Sequence, residues 1–137
     1  MRITTRGRYA LSAVINLAYL DDDDDPVTIG SIARREGFSS DFLEQVFFML
    51  RRGGLVVSIR GPGGGFRLAR PAAEISLREI LSAVGEDADF TGPPSQTPPP
   101  GFGRQKAGEA LLELETELRR IASGMSLADI AGVRMDA

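Results

Sequence analysis

"SSDFLEQVFFMLRRGGLVVSIRGPGGGFRLAR", residues 39–70, changes its apolar rhythm halfway along. Leu43, Val46, Phe47 and Leu50 recur at helical spacing, and Gly53-Gly54 stops that run. Ser39 to Asp41 supply the cap at its start. From Leu55 onward the period becomes two. Leu55, Val57 and Ile59 precede a glycine and proline tract at 61–65, and Phe66 and Leu68 follow it. Two such runs around a glycine-rich loop predict a β-hairpin. Those five apolar side chains are expected to face a core, with Arg60 and Arg67 on the other face or at the tip.

Glycines in a row also suggest a phosphate-binding loop, but the surroundings exclude it. Such a loop opens a helix and closes with Lys-Ser/Thr. Here the glycines lead into Phe66-Arg67-Leu68-Ala69-Arg70, which alternates like a strand and ends at Pro71. The Gly-x-Gly-x-x-Gly spacing is also missing, because its third glycine would fall on Phe66 or Leu68. A hairpin remains, either as a solvated structural element or as a surface for a partner.

Upstream, Thr28 caps a short helix through Ile29, Ile32 and Ala33 that ends at Gly37. A short helix, a glycine-containing turn and a longer helix make the helix-turn-helix pattern, whose second helix enters the major groove of DNA. Helix pairs of this kind are common. The arginine-bearing hairpin that follows, in the position of a wing, makes the combination far more specific. A first helix is expected to follow Thr4 or Thr5, a suitable side-chain cap, and to run to about Leu20, with Ala10, Ala13, Val14 and Leu17 on one face. Arg2, Arg6 and Arg8 cluster at its start, where free backbone N–H groups also attract phosphate. The run Asp21 to Asp25 closes it and reads as a solvated loop rather than a metal site.

The net charge of −3 conceals a division. Residues 1–70 hold ten arginines and eight acids, five of them in the single run 21–25, whereas residues 71–137 hold six basic and eleven acidic groups. Local field governs attraction to nucleic acid, and the first half is basic outside that run. With no cysteine and no histidine, disulfides, thiolate chemistry and imidazole acid–base catalysis are excluded, and the usual zinc ligands are absent. No cofactor or metal is expected. The sequence has neither an apolar stretch long enough to span a membrane nor a secretory pattern, so a cytoplasmic protein without a membrane partner is expected.

Downstream, Ser76 with Glu79 forms a capping-box sequence opening a helix through Leu77, Ile80, Leu81 and Val84. Residues 88–104 turn to Pro, Gly and Thr, the composition of a linker. Beyond it Ala107, Leu111, Leu114, Leu118, Ile121 and Met125 recur in steps of four and three, a seam for a partner helix. Glu113, Glu115, Glu117, Arg119 and Arg120 lie mostly outside the seam. Packing onto its own domain is the alternative, but beyond a proline-rich linker a second copy of the chain is favoured. Ser126 with Asp129 caps one last turn. The expected division is a winged helix-turn-helix domain over 1–87, a linker over 88–104, and a dimerisation helix with a terminal turn over 105–137. The fold class is mainly α with a small β-hairpin.

Taken together, "MRITTRGRYAL", "FLEQVFFMLRRGGLVVSIRGPGGGF" and "ISLREILSAV" resemble the bacterial winged-helix transcription regulator family of IscR, NsrR and CymR, closely over residues 1–87. The resemblance implies a homodimer on an inverted repeat of double-stranded DNA, with long helices crossing at the dimer interface. It places Phe42, Glu44 and Gln45 on the recognition helix and takes Arg60 to the minor groove. Glutamine can pair with adenine and glutamate can accept from cytosine N4, and arginine suits a narrow minor groove. The candidate DNA-binding set is Arg2, Thr4, Arg6, Arg8, Ser39, Asp41, Phe42, Glu44, Gln45, Arg51, Arg60, Gly61, Gly63, Gly64 and Arg67. In this reading the glycines let the wing backbone approach the duplex.

Cluster-binding relatives carry three cysteines in the segment that corresponds to 88–104, which here has none. The cluster is therefore not carried over. A cluster-free sequence-specific regulator, a repressor, is the expected function, and an interaction module of the same fold that holds an enzyme or another regulator is the alternative. An enzyme is not expected, since the chain shows no nucleophile–base pair.

Overall fold

A computed structural model describes residues 3–20, 25–87 and 101–132. Arg2, most of the acid run and residues 88–100 of the expected linker lie outside the described residues.

Helix α1 spans Thr5–Tyr19, α2 Ile29–Glu36 and α3 Ser40–Arg52. Strands β1 (Val56–Ile59) and β2 (Gly65–Leu68) pair antiparallel. A 3₁₀ turn at Ala72–Glu74 leads to α4 (Leu77–Ala83), and α5 (Phe102–Ser123) and α6 (Leu127–Ala131) complete the described chain. It is a mainly helical winged-helix architecture with one two-stranded hairpin.

The core forms where the apolar stripes of three helices meet. Ala10, Ala13, Val14 and Leu17 of α1 join Ile32 of α2 and Leu43, Val46, Phe47 and Leu50 of α3, all buried. Small alanines on α1 let its neighbours approach closely. Caps fix the ends of the helix-turn-helix. Thr28 Oγ1 accepts from Ser31 N–H at 3.1 Å, and Gly37 ends α2 with φ of 72°, a left-handed value that glycine adopts without a Cβ penalty. Asn16 ties α1 to this unit by donating to Glu36 Oε1 at 2.7 Å and to Ser12 O at 2.8 Å.

The capping box at Ser76 is present in both directions. Ser76 Oγ accepts from Glu79 N–H at 3.1 Å, and Glu79 Oε2 accepts from Ser76 N–H at 3.0 Å. Ser126 Oγ caps α6 by accepting from Asp129 N–H at 3.1 Å. Helix α6 returns to the first half of the chain. Leu127 N–H donates to Ile75 O at 2.7 Å, and Leu127 and Ala128 enter the same core as Ala10.

Two expectations need correction. The hairpin's inward face is not Leu55, Val57 and Ile59. Val56 pairs with Leu68 and Ser58 with Phe66, so Val56, Phe66 and Leu68 share the inner face, while Val57 and Ile59 are exposed on Arg67's side. Leu55 is buried as well, because the chain bends after Gly54 before β1 begins, and one period-two reading cannot cross that bend. The second correction concerns Thr4, which occupies the N-cap of α1 but makes no side-chain cap bond. Its hydroxyl donates instead to Glu86.

Candidate nucleic-acid interface

One side of α3 supplies the core and the other is open. Asp41, Glu44, Gln45, Phe48, Arg51 and Arg52 are exposed. Ser39 Oγ holds the start of the helix by accepting from Phe42 N–H at 3.4 Å. Asp41, Glu44, Gln45, Phe48 and Met49 line one shallow depression of about 450 Å³. Glu44, Phe48 and Arg51 line another, of about 260 Å³, with Ile29 of α2 and Phe66 of the wing. Strand β2 of the wing therefore stands beside the exposed face of α3, held there by Phe47 against Phe66 at 4.6 Å between ring centroids.

Phe42 plays a different part from its neighbours on α3. It is half-buried, edge-on to Tyr9 at 5.0 Å, and Tyr9 stacks on Phe38 at 3.8 Å. This aromatic trio pins the start of α3 to α1, so Glu44 and Gln45 project from an anchored helix.

At the wing tip, Gly61 and Gly63 have φ of 97° and 74°, and Gly64 N–H donates to Gly61 O at 2.9 Å. Two further glycines answer to internal packing. A Cβ on Gly64 would run into Ile59 O, and one on Gly65 would sit 2.6 Å from Val27 O. Val27 bridges to the outer side of β2, with N–H to Phe66 O at 3.0 Å and O from Phe66 N–H at 2.7 Å. The sequence reading missed this third rung, because a single residue before Thr28 carries no period.

Charge divides more sharply in space than along the chain. Arg6, Arg8, Arg51, Arg52, Arg60 and Arg67 have no ion-pair partner among the described residues. Farther along, Arg70 pairs with Glu79 at 3.2 Å, and Asp87 meets Arg78 at 4.0 Å and Arg119 at 3.8 Å. On α5, a hydrogen bond from Arg120 to Glu117, helped by that carboxylate's charge, raises the guanidinium above its ordinary value. Among the described residues, the arginines of α1, α3 and the wing therefore carry no carboxylate partner, unlike Arg70, Arg78 and Arg119. Arg6 and Arg52 come together on one cleft of about 510 Å³ between the start of α1 and the ends of α3 and α4. Arg52 was absent from the candidate set, although its place at the end of a tandem Arg51-Arg52 could have raised it.

The start of α1 is fixed by a residue that no local pattern reveals. Glu86, only 6% exposed, accepts from Thr4 N–H at 3.2 Å and from the Thr4 hydroxyl. A carboxylate here also complements the positive end of the helix. Gly7 makes room for it, since a Cβ at that position would collide with Glu86 Oε2.

A helix-turn-helix followed by a wing, with an exposed polar face on α3 and arginines without ion pairs beside it, is the architecture of winged-helix DNA-binding regulators. Residues 3–132 match the family Rrf2, described as iron-dependent transcriptional regulators, and the chain belongs to that family. It is similar to a protein of Azotobacter vinelandii named "Putative HTH-type transcriptional regulator ORF2", with 40% identity over 136 residues, 95% of this chain and 79% of the relative. To the HTH-type transcriptional regulator IscR of Cronobacter sakazakii it is 46% identical over 91 residues, 66% of this chain and 56% of that one. It therefore spans little more than half of IscR's length. The structure of CymR, the global cysteine regulator of B. subtilis, superposes with a TM-score of 0.79 at 27% identity and covers 98% of both chains. The protein is a transcription regulator acting on DNA, not an enzyme.

Iron in the family description has to be weighed against the donors in this chain. Iron–sulfur clusters are held by thiolates, with histidine as the occasional substitute, and the sequence has neither residue. Among the described residues no group of three or more carboxylates gathers where it could hold a metal ion. The residues present do not fit a cluster. Among the described residues, no helix is long and apolar enough to cross a membrane.

Proposed function

We propose that the chain binds an inverted repeat in duplex DNA as a homodimer without an iron–sulfur cluster, and represses promoters that carry the repeat. The observation supporting this most directly is the exposed face of α3 beside a wing whose arginines lack partners. In this reading Glu44 and Gln45 meet base edges in the major groove, and Arg60 enters the adjacent minor groove. Arg2, Arg6, Arg8, Arg51 and Arg67 meet phosphates, while Thr4, Ser39, Asp41 and Phe42 hold the two helix starts in place. Gly61, Gly63 and Gly64 shape the wing tip.

Dimerisation rests on α5. Leu111, Leu114 and Ile121 are exposed, and Leu118 beside them is half-buried. Ala107 extends the stripe, whereas Met125 lies past the helix end. A second copy covering this stripe creates a two-fold axis, and a two-fold protein reads a two-fold DNA site. A dimer seated across a promoter excludes polymerase, hence repression.

Recovery of bound fragments from genomic DNA, followed by titration at several salt concentrations, tests the reading. The fragments should share an inverted repeat, and affinity should fall steeply with salt as phosphate contacts release counterions. Equal binding of all sequences at moderate salt refutes it. Anaerobic reconstitution with iron and sulfide should leave the protein colourless and its affinity for the repeat unchanged.

A further inference from the structure

Phe48 stands at the centre of the open side of α3. With 3.6 residues per turn, the buried positions Leu43, Val46, Phe47 and Leu50 define the core side. Phe48 points away from it, between Glu44 and Arg51 on one flank and Gln45 and Arg52 on the other. It is 54% exposed, the largest apolar surface on a face otherwise made of charged and amide side chains. The shallow depressions on either side of it leave the ring standing as a ridge. The Arg52 guanidinium lies 5.9 Å from the ring centroid, over the ring, and leaves the rest uncovered.

An exposed aromatic ring in this position offers an apolar contact to whatever surface α3 meets. The major groove offers one such group, the 5-methyl of thymine, among donors and acceptors that Glu44 and Gln45 can address. Asp41 and Glu44, toward the start of α3, repel phosphate, whereas Arg51 and Arg52 at its end attract it. The part of the face around Glu44, Gln45 and Phe48 therefore suits base edges, and its far end suits backbone. We infer that Phe48 reads a thymine methyl and so distinguishes thymine from cytosine at one position of each half-site. The inference rests on the proposed DNA-reading role of α3 and adds the identity of a base. Phe48 lies three residues from Gln45 and four from Glu44. At 1.5 Å per residue its base falls within about two base pairs of theirs.

The test uses the full chain and the duplex recovered by genomic selection, with each thymine replaced in turn by deoxyuridine, which lacks only the methyl. Wild-type protein should lose about fourfold in affinity per half-site at one thymine, the effect of one buried methyl. Phe48→Ala should bind more weakly but show no difference between thymine and deoxyuridine there, while Phe48→Leu should retain part of the difference. Since Phe48 is exposed, the thermal midpoint of Phe48→Ala should stay at the wild-type value, which separates lost reading from lost folding. Cytosine replaced by 5-methylcytosine at the same position should recover affinity relative to cytosine in wild type only. Specific binding with no methyl-sensitive thymine within two base pairs of the Glu44 and Gln45 positions overturns the inference and leaves DNA reading intact. So does a methyl effect that persists in Phe48→Ala. Absence of specific DNA binding overturns both, and points to a protein partner for the ring.

Discussion

Helices α3 and α5 invert each other. Helix α3 buries Leu43, Val46, Phe47 and Leu50 within its own chain and shows carboxylate, amide and guanidinium groups outside. Helix α5 leaves Leu111, Leu112, Leu114 and Ile121 exposed and buries a carboxylate, Glu115, at 3% exposure. Helix α5 packs on α4, and the charge of buried Glu115 is met by Arg119. Apolar burial within the chain therefore secures α3, while α5 packs on α4, meets Asp87 through Arg119, and leaves much of its apolar side exposed. Contiguous exposed apolar patches are a common mark of interaction surfaces. One helix is finished by folding, and under the proposed dimer the other is finished by assembly.

The largest effect is expected from attacking the apolar side of α5. Leu114→Asp with Leu118→Asp should turn a dimer into a folded monomer and weaken binding to the inverted repeat more than a hundredfold. Central interface residues cost about 2 kcal/mol or more each when truncated. Sedimentation combined with DNA titration reads both. Dimeric behaviour of the double variant would break the comparison outright. Truncation is a poorer tool, because Leu127 of α6 belongs to the core and would leave with the helix.

A second prediction probes the other region through its support. Gly7→Ala places a methyl on the Glu86 carboxylate and should cost about 1–3 kcal/mol of folding stability, the range for a displaced buried hydrogen-bonding group. Thermal melting checks this, and an unchanged midpoint would mean that the Glu86 contact contributes nothing. Arg60→Ala acts outside the core and should leave stability alone. It should weaken operator binding by about 1–3 kcal/mol and relax discrimination at the base pairs under the wing.

Local and long-range contacts differ in how far the sequence reveals them. Helix α3, the wing and the capping box at Ser76 follow from short-range rules, in which cap, period and glycine stop lie within one turn of each other. The apolar period of α5 was legible for the same reason. What escaped depends on distance in the chain or on a single residue. Glu86 reaches Thr4 across 82 positions, and Val27 contributes one rung to the wing. The inner face of the hairpin was misassigned because a backbone bend at Gly54 shifts the alternation by one residue. In the candidate site, composition and spacing put the arginines forward. Only the spatial arrangement separates those with carboxylate partners from those without, and it gives Phe42 to the aromatic trio while leaving Phe48 in the open.

Glu86 and Asp87 are neighbours in the chain, and they hold different helices. Glu86 grips the first turn of α1, and Asp87 meets Arg119 on α5. Consecutive Cα atoms across a trans peptide lie about 3.8 Å apart, and that length does not stretch. The two grips are therefore a hitch with a single link. The start of α1 and the last turns of α5 meet the chain at adjacent residues, so a shift of either helix is felt at the contact of the other.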